Sequence, residues 1–200
     1  MERAKITAII LAAGLSRRMG QPKMLLPWGE TSVLGKVLNT LTQAGLEDLI
    51  VMSGGTRQLI EAEVARLATN GLPVRAIFNP QYEAGEMMSS VRAGLAAIGP
   101  QAEYALIALG DQPQLSVESA RRVVAAAQRS DAQLVLPSFE MRRGHPWLVR
   151  RDLWPELISA ETGRAFLQAH ASKILYVETD ETVMKDLDTP EDYQQGLNRV

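Results

Sequence analysis

The sequence has no cysteine and only two histidines, and it lacks an excess of charge of either sign. Without cysteine, the chain forms no disulfide, thiolate metal site or cysteine nucleophile. His145 and His170 lie far apart in the chain, so a metal cluster built on histidine is not expected. The formal net charge is −2, which excludes a protein-wide basic surface for nucleic acid. Any anion must therefore bind at a local site.

Long hydrophobic runs are missing as well. The apolar stretch at 6–13 is too short to span a membrane and lacks the pattern of a signal peptide. A buried strand that runs into a polar loop explains this stretch better. A small secreted protein would usually contain disulfides, so the absence of cysteine favours a reducing compartment. We therefore expect a cytoplasmic protein with no membrane partner.

Short apolar runs alternate with amphipathic patterns through the first two thirds of the chain. The apolar runs are typical of strands covered on both faces, and they lie at 6–11, 49–53, 74–78, 104–109 and 133–137. Apolar residues that recur three and four positions apart predict helices at 32–43, 57–67, 89–97 and 116–128. This succession predicts a three-layer α/β/α, Rossmann-like fold with a mostly parallel central sheet.

The pattern changes after Pro137. The segment 138–150 contains Gly144, Pro146 and several arginines, which predicts an excursion over the edge of the sheet. Beyond it the sequence predicts helices at 152–158, 163–169 and 190–197 and a strand at 174–178. With no linker or repeat, 1–200 is expected to form one domain, and this length is enough to bury a full core.

The loop after the first strand carries three cations among small residues. Residues 10–23 are Ile-Leu-Ala-Ala-Gly-Leu-Ser-Arg-Arg-Met-Gly-Gln-Pro-Lys. Small residues let a ligand approach the backbone, and successive N–H groups in a turning loop bind anions. Arg18 and Lys23 are suited to neutralise phosphate oxygens. The spacing fits neither the Walker A loop nor the dinucleotide fingerprint, and a solvated cationic surface loop remains the alternative.

A second polar loop, Gly110-Asp111-Gln112-Pro113, follows the predicted strand at 104–109. A carboxylate at that place lies at the ligand edge of a parallel sheet, beside the first loop. Since Mg²⁺ binds one or two carboxylates together with substrate phosphates, Asp111 is a candidate ligand, and a plain turn is the alternative. Asp186 and Asp188 are candidates for the second ligand because residues two apart on a strand share a face. A helix N-cap is the alternative role for Asp188.

The first loop resembles the signature of the nucleotidyltransferases related to the molybdenum cofactor enzymes, and Gly-Asp-Gln-Pro resembles the metal motif of that family. The resemblance implies that the first loop wraps a nucleoside triphosphate, with nucleotide contacts from Leu11, Ala12, Ala13, Gly14, Arg18 and Lys23. It implies catalytic roles for Arg18 at the phosphates, for Lys23 at the α-phosphate and for Asp111. It also implies Mg²⁺ as cofactor, held by Asp111 and Asp188.

Two later segments share the resemblance. In that family an Asn and a Ser-Ser pair line the nucleotide side, which implies nucleotide-binding roles for Asn79, Ser89 and Ser90. Helix capping is the alternative for the serines. His145 lies in a Gly-His-Pro stretch, directly after Arg143, that resembles the stretch approaching the acceptor in the cytidylyltransferase branch. The resemblance implies acceptor-binding roles for Arg143 and His145. An edge-strand turn with a hydrogen-bonded histidine is the alternative there.

The resemblance also distinguishes two branches. The guanylyl branch has Leu-Ala-Gly-Gly and an Asp before the Lys, whereas this chain has Ala13 and Pro22, as in the cytidylyl branch. The implied reaction transfers CMP from CTP to the phosphate of molybdenum-molybdopterin and releases pyrophosphate. A molybdoenzyme or its chaperone is a further candidate partner. The alternatives are cytidylyl or guanylyl transfer to another acceptor, such as a sugar or polyol phosphate, and a binding module without turnover.

Overall fold

The computed structural model describes residues 4–84 and 87–198. Its strands are β1 (Ile6–Leu11), β2 (Pro27–Trp28), β3 (Thr31–Ser32), β4 (Leu49–Ser53), β5 (Val74–Phe78), β6 (Tyr104–Leu109), β7 (Leu134–Phe139), β8 (Arg142–Arg143), β9 (Trp147–Arg150) and β10 (Ile174–Glu178). Its α-helices are α1 (Val33–Gln43), α2 (Arg57–Thr69), α3 (Met87–Ala97), α4 (Val117–Arg129), α5 (Trp154–Ser159), α6 (Gly163–Ala169) and α7 (Pro190–Leu197). The predicted bounds of β1, β4, β5, β6, β10, α6 and α7 are identical to these, and the bounds of the other predicted elements differ by one or two residues.

The central sheet is mostly parallel, as the sequence predicts. Its order is β10-β7-β9-β6-β1-β4-β5, with β8 paired to the end of β7. β1 lies between β4 and β6 in the interior of the sheet and is parallel to both. The carboxyl ends of β1, β4, β5 and β6 therefore meet at one edge, where open α/β sheets bind their ligands.

Both faces of the sheet are covered by helices, which confirms the three-layer prediction. In β1, Ala8 and Ile10 pack into a core shared with α1, α2 and α4, while Ile9 packs on the other face against a core built with α3, α5 and α6. Strands buried on both faces need a continuous apolar run, which is the pattern seen in the sequence. Within the described residues, no helix is long and apolar enough to cross a bilayer.

Strand β9 corrects one prediction. The segment 138–150 does not pass over the sheet edge: Trp147–Arg150 enters the interior of the sheet, antiparallel to both β6 and β7. Leu148 and Val149 are fully buried there. The apolar stretch is short and follows glycine, proline and arginines, so local composition favoured a loop. Pairing with two neighbouring strands overrides that preference.

A smaller apolar cluster holds the C-terminal segment beside the first loop. Trp28 of the β2–β3 ribbon packs with Met19 and Leu187, and Tyr193 of α7 packs against this group. The Tyr193 hydroxyl donates to the Pro27 carbonyl at 2.6 Å. Thr189 caps α7 in a capping box with Asp192. These contacts fix residues 187–189 at the carboxyl edge of the sheet.

Candidate active site

A cleft of about 900 Å³ opens at the carboxyl edge of the sheet. The first loop contributes five of the predicted residues to its lining, namely Leu11, Ala13, Gly14, Arg18 and Lys23. Other elements contribute four more, namely Ser89, Ser90, Asp111 and Asp188. The structure therefore brings together most of the residues that the sequence selected, although their separate roles stay predictions.

Close backbone contacts fix the first loop. The Gly110 N–H donates to the Leu11 carbonyl at 3.0 Å and ties the end of β6 to the end of β1. A side chain at Gly54, after β4, would collide with Ala13, so the loop rests directly on that glycine. Ser16 adopts a left-handed conformation with φ 49°, and its hydroxyl accepts the N–H of Lys23 at 3.3 Å. The loop thus turns back and returns Lys23 to the cleft.

The Lys23 ammonium lies at the centre of a charged group. It donates to the Asp111 carboxylate, to the Leu187 carbonyl at 2.8 Å and to Asp188 Oδ1 at 3.4 Å. Arg18 Nη1 lies 3.0 Å from the other oxygen of Asp188, with its side chain 69% exposed. The two cations and two carboxylates neutralise each other, so an incoming phosphate would compete with the carboxylates for Lys23 and Arg18.

For the second carboxylate, the sequence left the choice between Asp186 and Asp188 open. Asp188 lines the cleft, whereas the Asp186 carboxylate accepts a hydrogen bond of 2.6 Å from Gln112 Nε2. Burial raises the pKa of Asp186, and the negative charges of Asp111 and Asp188 raise it further, while the Gln112 hydrogen bond opposes them. The geometry thus favours Asp188 as the partner of Asp111.

The carboxylates of Asp111 and Asp188 fit a divalent cation. Both contact the same ammonium, so two anionic oxygens already converge on one cationic position. Among the described residues, no group of three or more His, Asp and Glu side chains converges on a possible metal position. A metal held here would therefore complete its shell with substrate phosphates and water, which suits Mg²⁺.

Two predicted nucleotide-binding residues lie behind the cleft surface. Ala12 is buried, and its N–H donates to the Met52 carbonyl at 3.2 Å. Asn79 is 1% exposed, and its amide donates to the hydroxyls of Ser89 at 2.9 Å and Ser90 at 3.0 Å. Asn79 thus holds the first turn of α3, and in this geometry it would act on a nucleotide through the two serines.

The two predicted acceptor residues do not line the cleft. Arg143 is exposed on β8, while the His145 ring stacks on Trp147 with ring centroids 4.6 Å apart. His145 Nε2 is buried and has no hydrogen-bond partner among the described residues, and desolvation lowers the pKa of His145 to about 4. The alternative of a hydrogen-bonded histidine in a turn is therefore wrong for Nε2. The acceptor roles of Arg143 and His145 stay predictions.

Sequence reasoning missed three contributors. Gln112 stands in the motif of Asp111, but nothing in the pattern indicated that it reaches Asp186. Leu187 contributes its backbone carbonyl, which accepts a hydrogen bond from Lys23. A pattern of side-chain types does not predict a backbone contact. Tyr82 also lines the cleft. The aromatic residue after β5 was a signal that could have identified it.

Comparison with known proteins identifies the family. Residues 8–174 match the model of the MobA-like NTP transferase domain. The chain is 32% identical to the molybdenum cofactor cytidylyltransferase of Escherichia coli, over 97% of this chain and 96% of that protein. It is also 31% identical to the nicotine blue oxidoreductase of Paenarthrobacter nicotinovorans, over 93% of each chain.

A solved structure supports the same assignment. The fold matches a crystal structure from Mycobacterium tuberculosis with a TM-score of 0.80 and 29% identity, over 98% of this chain and 100% of that one. A manganese complex of that protein also matches, with a TM-score of 0.75, 29% identity and the same coverage. The resemblance found in the first loop is thus confirmed, and the chain belongs to the family of MobA-like NTP transferases.

Proposed function

We propose that this chain is a nucleotidyltransferase that transfers CMP from CTP to the phosphate of molybdenum-molybdopterin and releases pyrophosphate. The observation that carries the proposal is the position of Lys23, whose ammonium lies between Asp111 and Asp188 at the ligand edge of the sheet. A cation there neutralises the charge that develops on a phosphate during transfer. A module that only bound a nucleotide would not need this arrangement.

In the proposed reaction an oxygen of the acceptor phosphate attacks the α-phosphorus of CTP. A new phosphoanhydride bond forms, the bond to the β-phosphate breaks, and pyrophosphate leaves with the electron pair. The acceptor is already an anion near neutral pH, so no general base is needed. Lys23 and Arg18 would bind the phosphates and align them for in-line attack. Mg²⁺, held by Asp111 and Asp188, would supply further neutralisation of phosphate charge.

Ala13 and Pro22 support CTP as the donor. Ala13 lines the cleft and lies against Gly54, and it carries a methyl group where the guanylyl branch has a glycine. Pro22 restrains the backbone immediately before Lys23. The identity of 32% over nearly the whole length of a cytidylyltransferase agrees with this choice. Cytidylyl or guanylyl transfer to a sugar or polyol phosphate remains the alternative.

One comparison favours a second candidate. A relative with 31% identity over 93% of the chain is named nicotine blue oxidoreductase, so a redox activity in the same cleft is the second candidate. A redox activity would need a hydride donor in the same cleft. The charged group of Lys23, Arg18, Asp111 and Asp188 is better matched to phosphates than to hydride transfer, and we rank this function second.

The two candidates are separated by one set of assays on the purified protein. Pyrophosphate release is measured with each of the four nucleoside triphosphates, against molybdenum-molybdopterin and several sugar phosphates, with Mg²⁺ and with EDTA. NADH or NADPH oxidation with nicotine blue is measured in parallel. The proposal expects pyrophosphate release with CTP and molybdenum-molybdopterin that EDTA abolishes. Hydride oxidation without pyrophosphate release would replace it with the second candidate.

Several assignments belong to this proposal and stay predictions. They are the extent of the nucleotidyltransferase domain over 1–200, the cytoplasmic location, and a molybdoenzyme or its chaperone as recipient of the product. A pull-down of the product-loaded protein with candidate molybdoenzymes tests the last of these. Retention that is lost without the cofactor would support it.

A further inference from the structure

Gln112 stands next to Asp111 but does not line the cleft. It is 1% exposed, and its amide Nε2 donates two hydrogen bonds, to Asp186 Oδ1 at 2.6 Å and to the Val183 carbonyl at 3.2 Å. Both acceptors lie more than 70 residues further along the chain. One buried amide therefore joins the loop after β6 to the segment that carries Asp188.

The segment 183–188 is held at further points of the same region. The Val183 carbonyl also accepts the N–H of His145 at 2.9 Å, and the Leu187 N–H donates to the Asp111 carbonyl at 2.9 Å. A side chain at Gly144 would collide with Val183, so the stretch before β9 packs directly on this residue. The bonds made by Gln112 thus complete a frame between the loop of Asp111 and the segment of Asp188.

We propose that Gln112 is a positioning residue, which sets the separation of the Asp111 and Asp188 carboxylates through its hydrogen bonds to Val183 and Asp186. The inference deepens the proposed function and rests on it for the chemistry of the cleft. Hydrogen-bond partners behind the ligands of a metal site fix the orientation of those ligands. Gln112 itself touches no reacting group in this arrangement.

The test replaces the amide and measures metal binding and turnover separately. Gln112→Met keeps the length of the side chain and removes both hydrogen bonds. We expect it to weaken Mn²⁺ binding, followed by electron paramagnetic resonance, by about tenfold or more and to lower kcat by a similar factor. The KM for CTP should change by less than about threefold, because the phosphate-binding cations remain. If Gln112→Met does not fold, Gln112→Asn takes its place, since it retains the amide but falls short of Asp186.

A matched control distinguishes positioning from a general loss of stability. Gln133 Nε2 donates to Asp152 at 2.5 Å at the surface, so Gln133→Met removes a similar pair away from the cleft and should leave Mn²⁺ binding unchanged. Wild-type Mn²⁺ binding and kcat in the folded Gln112 variant would overturn the proposal.

Mn²⁺ binding is measured without nucleotide, so it separates the two proposals. If the wild-type protein releases no pyrophosphate but Gln112→Met still weakens Mn²⁺ binding, the proposed function fails while the positioning role of Gln112 stands. If the wild-type protein transfers CMP and Gln112→Met behaves as Gln133→Met does, the proposed function stands and the positioning role of Gln112 fails.

Discussion

Lys23 and Asp111, which are 88 residues apart in the sequence, form an ion pair at the carboxyl edge of the sheet. Their side chains are only 12% and 15% exposed, so solvent screens the pair weakly. A phosphate or a metal that enters the cleft must take over part of this interaction. The phosphates would take over Lys23, and the metal that accompanies them would take over Asp111. The ion pair therefore couples the binding of the phosphates to the binding of the metal.

The first prediction concerns Asp111. Asp111→Asn removes an anionic oxygen from the candidate metal site but leaves a group of the same size. We expect turnover to fall by about 100-fold or more, as for the loss of a strong electrostatic contact. Initial rates of pyrophosphate release at saturating Mg²⁺ measure the effect. Asp131→Asn, at an exposed position before β7, serves as the control. Unchanged turnover in the folded Asp111 variant would remove this carboxylate from the site.

The second prediction concerns Lys23. Lys23→Ala should lower kcat by more than it weakens nucleotide affinity, because the ammonium matters most where charge develops at the α-phosphate. The loss of one such contact costs about 3 kcal/mol of transition-state stabilisation. Steady-state kinetics with separate measurement of the Kd for CTP distinguishes the two effects. Lys36→Ala, on the exposed face of α1, should change neither. Equal behaviour of the two variants would mean that the first loop is only a solvated surface.

The third prediction concerns nucleotide choice. We expect CTP to be used at least about tenfold better than GTP in kcat/KM, which corresponds to about 1.4 kcal/mol. The double variant Ala13→Gly/Pro22→Asp should shift the ratio of the two kcat/KM values toward GTP. The ratio is the quantity to compare, because the loss of Pro22 could displace Lys23 and lower both rates. A constant ratio would place base choice elsewhere, around 79–90.

The fourth prediction concerns pH and His145. Desolvation lowers the pKa of His145 to about 4, below the value near 6.5 in an unfolded chain. Between these values the unfolded state binds a proton that the folded state does not, so stability falls as the pH falls through this window. From pH 7 to pH 5 the loss amounts to about 2 kcal/mol.

Urea unfolding at a series of pH values checks this prediction. His145→Phe retains a ring to stack on Trp147 and removes the titrating group. The variant should lose less stability than the wild-type protein between pH 7 and pH 5, while other groups contribute equally to both. Parallel stability curves over that range would contradict the assigned pKa.

The sequence predicts the fold well where local pattern and tertiary packing agree. β1, β4, β5 and β6 begin and end where their apolar runs do, because strands buried on both faces need such runs. Trp147–Arg150 was missed because only three apolar residues stand between a proline and an arginine. Its burial depends on pairing with β6, which is distant in the chain, and with β7, which lies across a turn. Local composition does not predict either pairing.

The same distinction applies to the candidate site. Lys23 and Asp111 follow strands, and the carboxyl ends of parallel strands meet, so their proximity was predictable from the strand pattern. The position of Asn79 behind Ser89 and Ser90 depends on how α3 packs against β5, which the residue types do not specify. The reach of Gln112 to Asp186 spans 74 residues and depends on the packing of the C-terminal segment.

The insertion of β9 between β6 and β7 has a consequence for synthesis of the chain. β1, β4, β5 and β6 can pair as soon as residue 109 has emerged from the ribosome, but β6 then presents an open edge. Unpaired strand edges invite association with other chains. That edge is closed only when β9 has been made, about 40 residues later, which takes about 2–8 s at ordinary rates of translation. The nascent protein is therefore most exposed to misassembly in the interval between β6 and β9.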